Sequence, residues 1–308
     1  MKLAPLRIGS RGSPLALAQA HQVAAMLGLA PECVLTFMTS GDRVQGRLQE
    51  AGGKGLFTRE LDEALLDDRI DCAVHSMKDL PTRLPPGIVL AAVPAREDPR
   101  DGFIALNAKT LAGLPAGAII GTASLRRQAQ TLHVRPDLKV ELLRGRVETR
   151  LRKIEEGAFD ATYLALAGLK RLGLERHAAG IVDIETMPPA PAQGALAITA
   201  RAGDNHVLGK LKPLDIAEFH IATAAERAML AALDGSCRTP IAALARIEGR
   251  RLGFIGEVLT PDGRHRWRRE GDCAGTMADA IALGTKLGAD IRKEAGPLYS
   301  AHFGDSGW

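Results

Sequence analysis

Five short stretches carry residues whose types and spacing point to chemistry. "HSMKDLPT" (75–82) sets a cation beside a carboxylate, Lys78 and Asp79, directly after an apolar run that reads as a strand. Ligands of open α/β sheets gather at the carboxyl ends of strands. Asp79 is therefore a candidate for proton transfer, with a nearby cation to tune its pKa; a surface ion pair is the plainer account of the same dipeptide. "GTASLRRQ" (121–128) runs from a strand into a helix capped by Thr122 or Ser124. Free N–H groups, the helix dipole and the guanidinium groups of Arg126 and Arg127 converge there, which makes either an anion site or an ordinary capped helix with solvated arginines. "LRGRVETR" (143–150) repeats the arrangement at the next strand end, with Arg144 in the loop and Arg146 and Arg150 four residues apart on one helix face. Arg11 in "GSRGSP" stands at the first strand end. The fifth stretch, "LDGSCRTPIAAL" (233–244), holds Cys237 in a turn-like setting beside an arginine, unlike the apolar strand where a buried cysteine usually sits.

These groups need elements to place them. "LRIG" reads as a strand, Ser13 caps a helix with Pro14 at its first position, and "VLTFM" (34–38) is a second strand. Residues 40–55 are polar and glycine-rich and read as a mobile loop. A helix with Phe57, Leu61 and Leu65 in register, a buried strand "DCAVHS" and a strand "GIVLAAV" complete a β-α-β-α-β pattern, which predicts a parallel-type sheet. "PAREDPRDG" (94–102) is a proline-bearing break, after which the pattern repeats through "GFIAL", "AIIGT", "KVELL" and "DATYLAL". A second break, "MPPAPAQG" (187–194), precedes "ALAITA", a strand placed to return to the first sheet. From about residue 217 a long helix, two strands flanking "TPDG" and a final helix predict a small α+β domain with Cys237 at its entrance. The expected domains are 1–94 with 195–212, then 100–188, then 217–308, with a cleft between the first two.

Composition narrows the classes. The chain has 308 residues, 46% hydrophobic and 25% charged, with a net charge of +4, as expected of a water-soluble globular protein of two or three domains. No apolar run is long enough to span a membrane, and the start has no secretory h-region. Four cysteines at 33, 72, 237 and 273 form no C-x-x-C pair and the histidines show no metal spacing, so neither a disulfide framework nor a metal site is signalled; a reducing cytoplasm fits. Aromatics are only 4%, too few for base-stacking platforms, which weighs against a nucleic-acid binder despite the clustered arginines. Arginine forks match carboxylates, so an enzyme acting on a polyanionic small molecule and a non-catalytic two-lobed anion-binding protein both remain open. Only the first uses Cys237.

The segments together resemble the porphobilinogen deaminase (hydroxymethylbilane synthase) family. The matching runs are "LRIGSRGSPLALAQA", "GGKGLFTRELDEALLDDRIDCAVHSMKDLPT", "EDPRDGFI", "IGTASLRRQAQ", "RPDL", "LRGRVETRL", "LALAGLKRLGL", "AQGALAI" and "LDGSCRTPIAALA", in the family's order along nearly the whole chain. The resemblance implies an α/β fold with two periplasmic-binding-protein-like domains and a small α+β third domain, acting as a cytoplasmic monomer. It implies head-to-tail condensation of four porphobilinogens into a linear tetrapyrrole with loss of four ammonia, on a dipyrromethane cofactor held by a thioether to Cys237. It assigns catalysis to Asp79, expected as a buried carboxylate against the pyrrole N–H. Cofactor binding falls to Asp42, Ser76, Lys78, Thr122, Ser124, Arg126, Arg127, Gly145 and Gln193. Porphobilinogen and the growing polypyrrole chain fall to Arg11, Ser13, Gln19, Arg144, Arg150 and Arg171, with Lys54 and Phe57 as loop elements over the cleft. The chain departs from the family pattern at Arg146 (usually asparagine), Ala192 (usually glycine) and Thr199 (usually glutamate).

Overall fold

A computed structural model describes residues 5–43, 55, 57–233 and 239–303. In chain order it begins β1 (Ile8–Arg11), α1 (Pro14–Met26), β2 (Val34–Phe37), α2 (Ser40–Arg43), α3 (Arg59–Leu66), β3 (Cys72–Ser76) and β4 (Ile88–Ala92). There follow β5 (Asp101–Ala105), β6 (Ile119–Gly121), α4 (Leu125–Val134), β7 (Lys139–Glu141), α5 (Val147–Glu155), β8 (Ala161–Ala165), α6 (Leu166–Arg171) and β9 (Gly180–Ile181). The chain continues through β10 (Leu196–Arg201), α7 (Asn205–Leu211), α8 (Ala217–Ala232), β11 (Ile241–Glu248), β12 (Arg251–Leu259), β13 (Arg266–Ala274), α9 (Met277–Ala295) and α10 (Pro297–Phe303). Of the expected mobile loop, Ser40–Arg43 is a helical turn; 44–54 lie outside the described residues.

Two compact units result: residues 1–97 with 194–220, and 98–193 with 221–308. The first holds a sheet ordered β2-β1-β3-β10-β4, the second a sheet ordered β7-β6-β8-β5-β9 and a three-stranded sheet β11-β12-β13. Neither five-stranded sheet is parallel throughout, contrary to the sequence pattern. β10 runs antiparallel to β3 and β4, and β5 antiparallel to β8 and β9. Each of these strands enters its sheet by the crossover rather than by a β-α-β turn, and a chain arriving that way is free to run against its neighbours. The alanine-rich β11, absent from the sequence reading, has little of the β-branched or aromatic signal that marks a strand.

Apolar side chains fill both faces of the first sheet. Ile8, Val23, Cys72, Val74 and Ile198 form one layer and Leu61, Leu65, Ile70 and Ile88 the other, as buried strands require. Gly9 on β1 and Gly121 on β6 do the same job in their two sheets. A Cβ on Gly9 would stand 2.4 Å from Ile70 Cδ1, and one on Gly121 2.7 Å from Leu143 Cδ2. In the second unit residues 221–308 lock onto 98–193 by buried polar contacts, Gln130 Nε2 donating to Glu257 Oε1 at 2.8 Å and the Ala243 N–H to the Pro189 carbonyl at 3.0 Å.

Candidate active site

In the first unit β3 is flanked by β1 and β10 and almost wholly buried, so the turn that follows it is fixed in place. Met77 and Leu80 anchor that turn in the core while Lys78 and Asp79 project from it, exposed. Asp79 thus differs from the buried carboxylate the sequence suggests. It lines a pocket with Arg11, Ser13, Gln19, Phe57, Thr58, His75 and Ser76. The Ser13 hydroxyl caps α1 by accepting from the Ala16 N–H at 3.3 Å, and the buried Gln19 amide lies 2.8 Å from Ser76 Oγ. The Arg11 guanidinium sits over the Phe57 ring, 4.1 Å from its centroid, a cation–π contact that ties strand end to loop. His75 is buried against Thr199 Oγ1 at 3.1 Å. Burial, then the charge of Arg11, push its pKa down to about 4, so the imidazole is neutral and structural.

The second unit offers a different surface. Ser124 caps α4 by accepting from the Arg127 N–H, and Thr122 Oγ1 accepts from the Ser124 N–H at 3.1 Å, so both hydroxyls shape the strand-to-helix turn. Arg126 and Arg127 do not project from it as the sequence suggests. Both are buried on Asp101 of β5, at 2.8 Å from Oδ2 and 2.7 Å from Oδ1 respectively. Gln193 Nε2 donates to the same carboxylate at 2.9 Å and to the Pro99 carbonyl at 2.7 Å. Burial opposes charge on Asp101, but the two guanidinium groups outweigh it and hold the carboxyl well below the usual carboxylate range. Arg150 Nε donates to the Gly145 carbonyl at 2.8 Å. Gly145 itself has φ +123°, a conformation only glycine adopts freely. Burial, followed by the charges of Arg127 and Arg144, pushes the Arg150 pKa down to about 10. The structure therefore gathers Arg127, Arg144 and Arg150. Arg171 sits half-buried at the end of α6. Arg146 is exposed at the N-cap of α5, one turn before Arg150, whose N–H donates to the Arg146 carbonyl at 3.1 Å.

The guanidinium nitrogens Arg126 Nε and Arg144 Nη1 are buried with no hydrogen-bond partner among the described residues. Orphaned cationic donors beside a cluster of like charge fit a carboxylate-bearing group, since each orphan carries a desolvation cost that an anion relieves. The side chain of Asp42 and the whole of Lys54 and Cys237 lie outside the described residues. Sequence reasoning missed Asp101, which it placed in a polar linker. The available signal was a lone acid opening the apolar run "GFIAL". It also missed Thr58, a buried pocket residue whose Oγ1 has no partner among the described residues. Among those residues no cluster of acids, histidines and cysteines is placed to hold a metal, and no helix is long and apolar enough to cross a membrane.

Comparison with known proteins identifies the family. Residues 6–209 match the family model "Porphobilinogen deaminase, dipyromethane cofactor binding domain", and 220–293 match "Porphobilinogen deaminase, C-terminal domain". The porphobilinogen deaminase of Caulobacter vibrioides is 53% identical across 95% of this chain and 96% of its own. That of Phenylobacterium zucineum is 51% identical across 94% and 97%. Among solved structures, a methionine-bound nutrient-binding protein from Burkholderia cenocepacia aligns over 68% of this chain and 90% of its own at 16% identity with a TM-score of 0.41, a likeness too distant to assign an activity. With both of its domain models matched and relatives more than half identical along nearly its full length, the chain belongs to the porphobilinogen deaminase family.

Proposed function

We propose that Asp79 is the catalytic carboxylate of this porphobilinogen deaminase and that Arg127, Arg144 and Arg150 hold the carboxylate arms of the polypyrrole chain. The enzyme condenses four porphobilinogens head to tail into hydroxymethylbilane and releases four ammonia, on a dipyrromethane cofactor. The observation that carries the site reading is the pocket in which Asp79 meets Arg11, Ser13, Gln19 and Ser76. As the C–N bond of the aminomethyl arm breaks, ammonia leaves and positive charge builds on the substrate pyrrole. The Asp79 carboxylate accepts a hydrogen bond from the pyrrole N–H, stabilises that charge, and takes the α-proton released once the new C–C bond has closed. Arg11, held over Phe57, binds a substrate carboxylate, and Ser13 and the Gln19–Ser76 pair orient the ring. In the second unit Gly145 and Arg171 extend that anion-holding role, Arg126 and Gln193 support it through Asp101, and Thr122 and Ser124 shape the turn that carries it. In the first unit Lys78 adds a cation beside Asp79 and Phe57 backs Arg11, while Asp42 and Lys54 are assigned by family position alone. When bound, the cofactor on Cys237 supplies the first free α-carbon and keeps the chain at high effective concentration.

A thioether of this kind needs a reduced thiol. Cys33, Cys72 and Cys273 are all free, in keeping with a reducing cytoplasm; we take the enzyme to act there as a monomer on porphobilinogen and the growing chain, with neither membrane nor nucleic acid as a partner. The test is the intact mass of the purified protein. It exceeds the sequence mass by two pyrrole units, and the excess vanishes in Cys237→Ala. An unmodified wild-type chain from cells that make porphobilinogen overturns the assignment.

A further inference from the structure

We infer that Glu226 is a positioning residue, a latch that fixes the crossover at Ala192 and through it the arginine cluster of the second unit. The inference rests on the anion-holding role proposed above. Glu226 lies on α8, the helix that leads toward Cys237, and is fully buried. Its two carboxyl oxygens serve two different segments. Oε2 accepts from the Ala192 N–H at 2.5 Å and Oε1 from the Ala245 N–H of β11 at 2.8 Å.

Ala192 is the residue that needs such a hold. Its φ is +60°, and it is one of only two non-glycine residues with positive φ among those described. A Cβ makes that conformation unfavourable, so it persists only where surrounding bonds over-determine it. Here the hold is double, with Glu226 on the Ala192 N–H and the Gln193 N–H donating to the Ala190 carbonyl at 3.0 Å. The next side chain along is Gln193, which donates to Asp101 Oδ1 at 2.9 Å, and Asp101 carries Arg126 and Arg127. The charge of Arg127 in turn acts on Arg150. An unbroken line of short contacts thus runs from the cysteine-bearing segment's helix to the arginines. It passes through the strap, whose next residue, Gly194, begins the return to the first unit.

Glutamine at 226 keeps the shape but has one acceptor where two N–H donors point, so one main-chain donor faces an NH2 group and the latch opens. Glu226→Gln is therefore expected to raise hydrogen exchange across 187–194 by about tenfold, as local opening there becomes cheaper. KM for porphobilinogen rises by about tenfold while kcat falls by less than about threefold, because Asp79 stands apart from the chain of contacts. Ala192→Gly in the same chain removes the penalty of the left-handed backbone and returns KM most of the way to wild type. A purely structural glutamate gives a different result: kcat and KM change together with loss of folded protein, and glycine at 192 restores nothing. That outcome, or unchanged exchange and KM in Glu226→Gln, overturns the latch. If Glu226→Gln fails to fold, recovery of folded protein by Glu226→Gln with Ala192→Gly supports it, and failure of both refutes it. The exchange arm reads the latch even if the mass test above finds no dipyrrole, so the two readings fail separately.

Discussion

The two five-stranded sheets share one topology and nearly one register, yet they support opposite electrostatics. Gly9 pairs with Ala73 in the first and Gly121 with Thr162 in the second, so the positions correspond residue by residue. Six residues beyond that pairing the first unit presents Asp79 on an exposed turn, and the second presents Gly168, buried inside α6. On the incoming antiparallel strand the first has Leu196, opposite Ser76, and the second has Asp101, opposite Ala165. These exchanges account for much of the difference. Asp101 allows two buried arginines to remain charged. In the first unit burial works toward neutral forms, pushing His75 down to about 4 and Asp62 up to about 6. The contrast is in keeping with the roles proposed above, a carboxylate at Asp79 in one lobe and anion-holding arginines in the other.

The contrast predicts its largest effect at Asp79. Replacing it with asparagine keeps the hydrogen-bonding shape but removes the base and the charge. Ammonia release is expected to fall by about 10²–10⁴-fold. Because Asp79 is exposed, the denaturation midpoint barely moves. Steady-state release of ammonia, measured alongside a urea titration, checks both halves, and near-native turnover in the variant removes Asp79 from its role.

The next effect lies at Asp101. Asp101→Asn leaves Arg126 and Arg127 buried without a full counter-charge, and breaking a buried pair in this way costs about 3–5 kcal/mol. The urea midpoint of the second unit should fall, whereas the same swap at exposed Asp79 leaves its own unit intact. A midpoint unchanged in Asp101→Asn means that the arginines are charged for some other reason and that the two lobes do not differ as argued.

Much of this contrast was legible in the chain. Apolar runs ending in "IGSRGSP" and "IGTASL" locate two strand-to-helix turns, and the serines cap the helices as their type predicts. Strand existence followed from buried apolar runs, and the crossover strand "ALAITA" was readable because it stood alone after a proline-rich break. Long-range pairing was not legible. Nothing near Arg126 or Arg127 in sequence announces that Asp101, twenty-five residues away, takes both, so these arginines read as solvent-facing anion binders. The antiparallel direction of β5 and β10 was hidden for the same reason, since a local pattern fixes a strand but not its neighbour. Nor does sequence show that Asp79 is exposed; that follows from Met77 and Leu80 both turning inward.

A smaller, pH-dependent effect separates the lobes further. Asp62 is buried on α3, and burial pushes its pKa up to about 6 from an ordinary 3.8. A carboxyl with a raised folded-state value binds its proton more tightly when folded. Its contribution to stability is fully present below pH 3.8 and is lost as pH rises through about 6. Asp62→Asn removes that loss, so the variant is more stable than wild type by about 1–3 kcal/mol at pH 8, and the gain shrinks toward zero near pH 4. Urea titrations at both pH values check this. A gain of equal size at pH 4 and pH 8 means that the asparagine acts through packing and not through charge.

The smallest effect tests the feature the lobes share. Ser13 and Ser124 occupy corresponding turns, each accepting an N–H of the first helical turn, from Ala16 at 3.3 Å and from Arg127 at 3.4 Å. Both bonds are long, so each Ser→Ala substitution is expected to cost about 0.5–1 kcal/mol, the low end for an N-cap. The two should differ in consequence and not in size. Ser13 lines the Asp79 pocket, so Ser13→Ala also raises KM. Ser124→Ala leaves the Arg127 guanidinium held by Asp101 and by the Tyr163 carbonyl at 2.9 Å, and turnover stays within about twofold. Parallel urea midpoints and kinetics on the two variants decide it. Equal stability loss with unequal kinetics means that the lobes share a scaffold and divide the chemistry, whereas a larger stability loss at Ser124 means that the cap, and not Asp101 alone, holds the arginine pair in place.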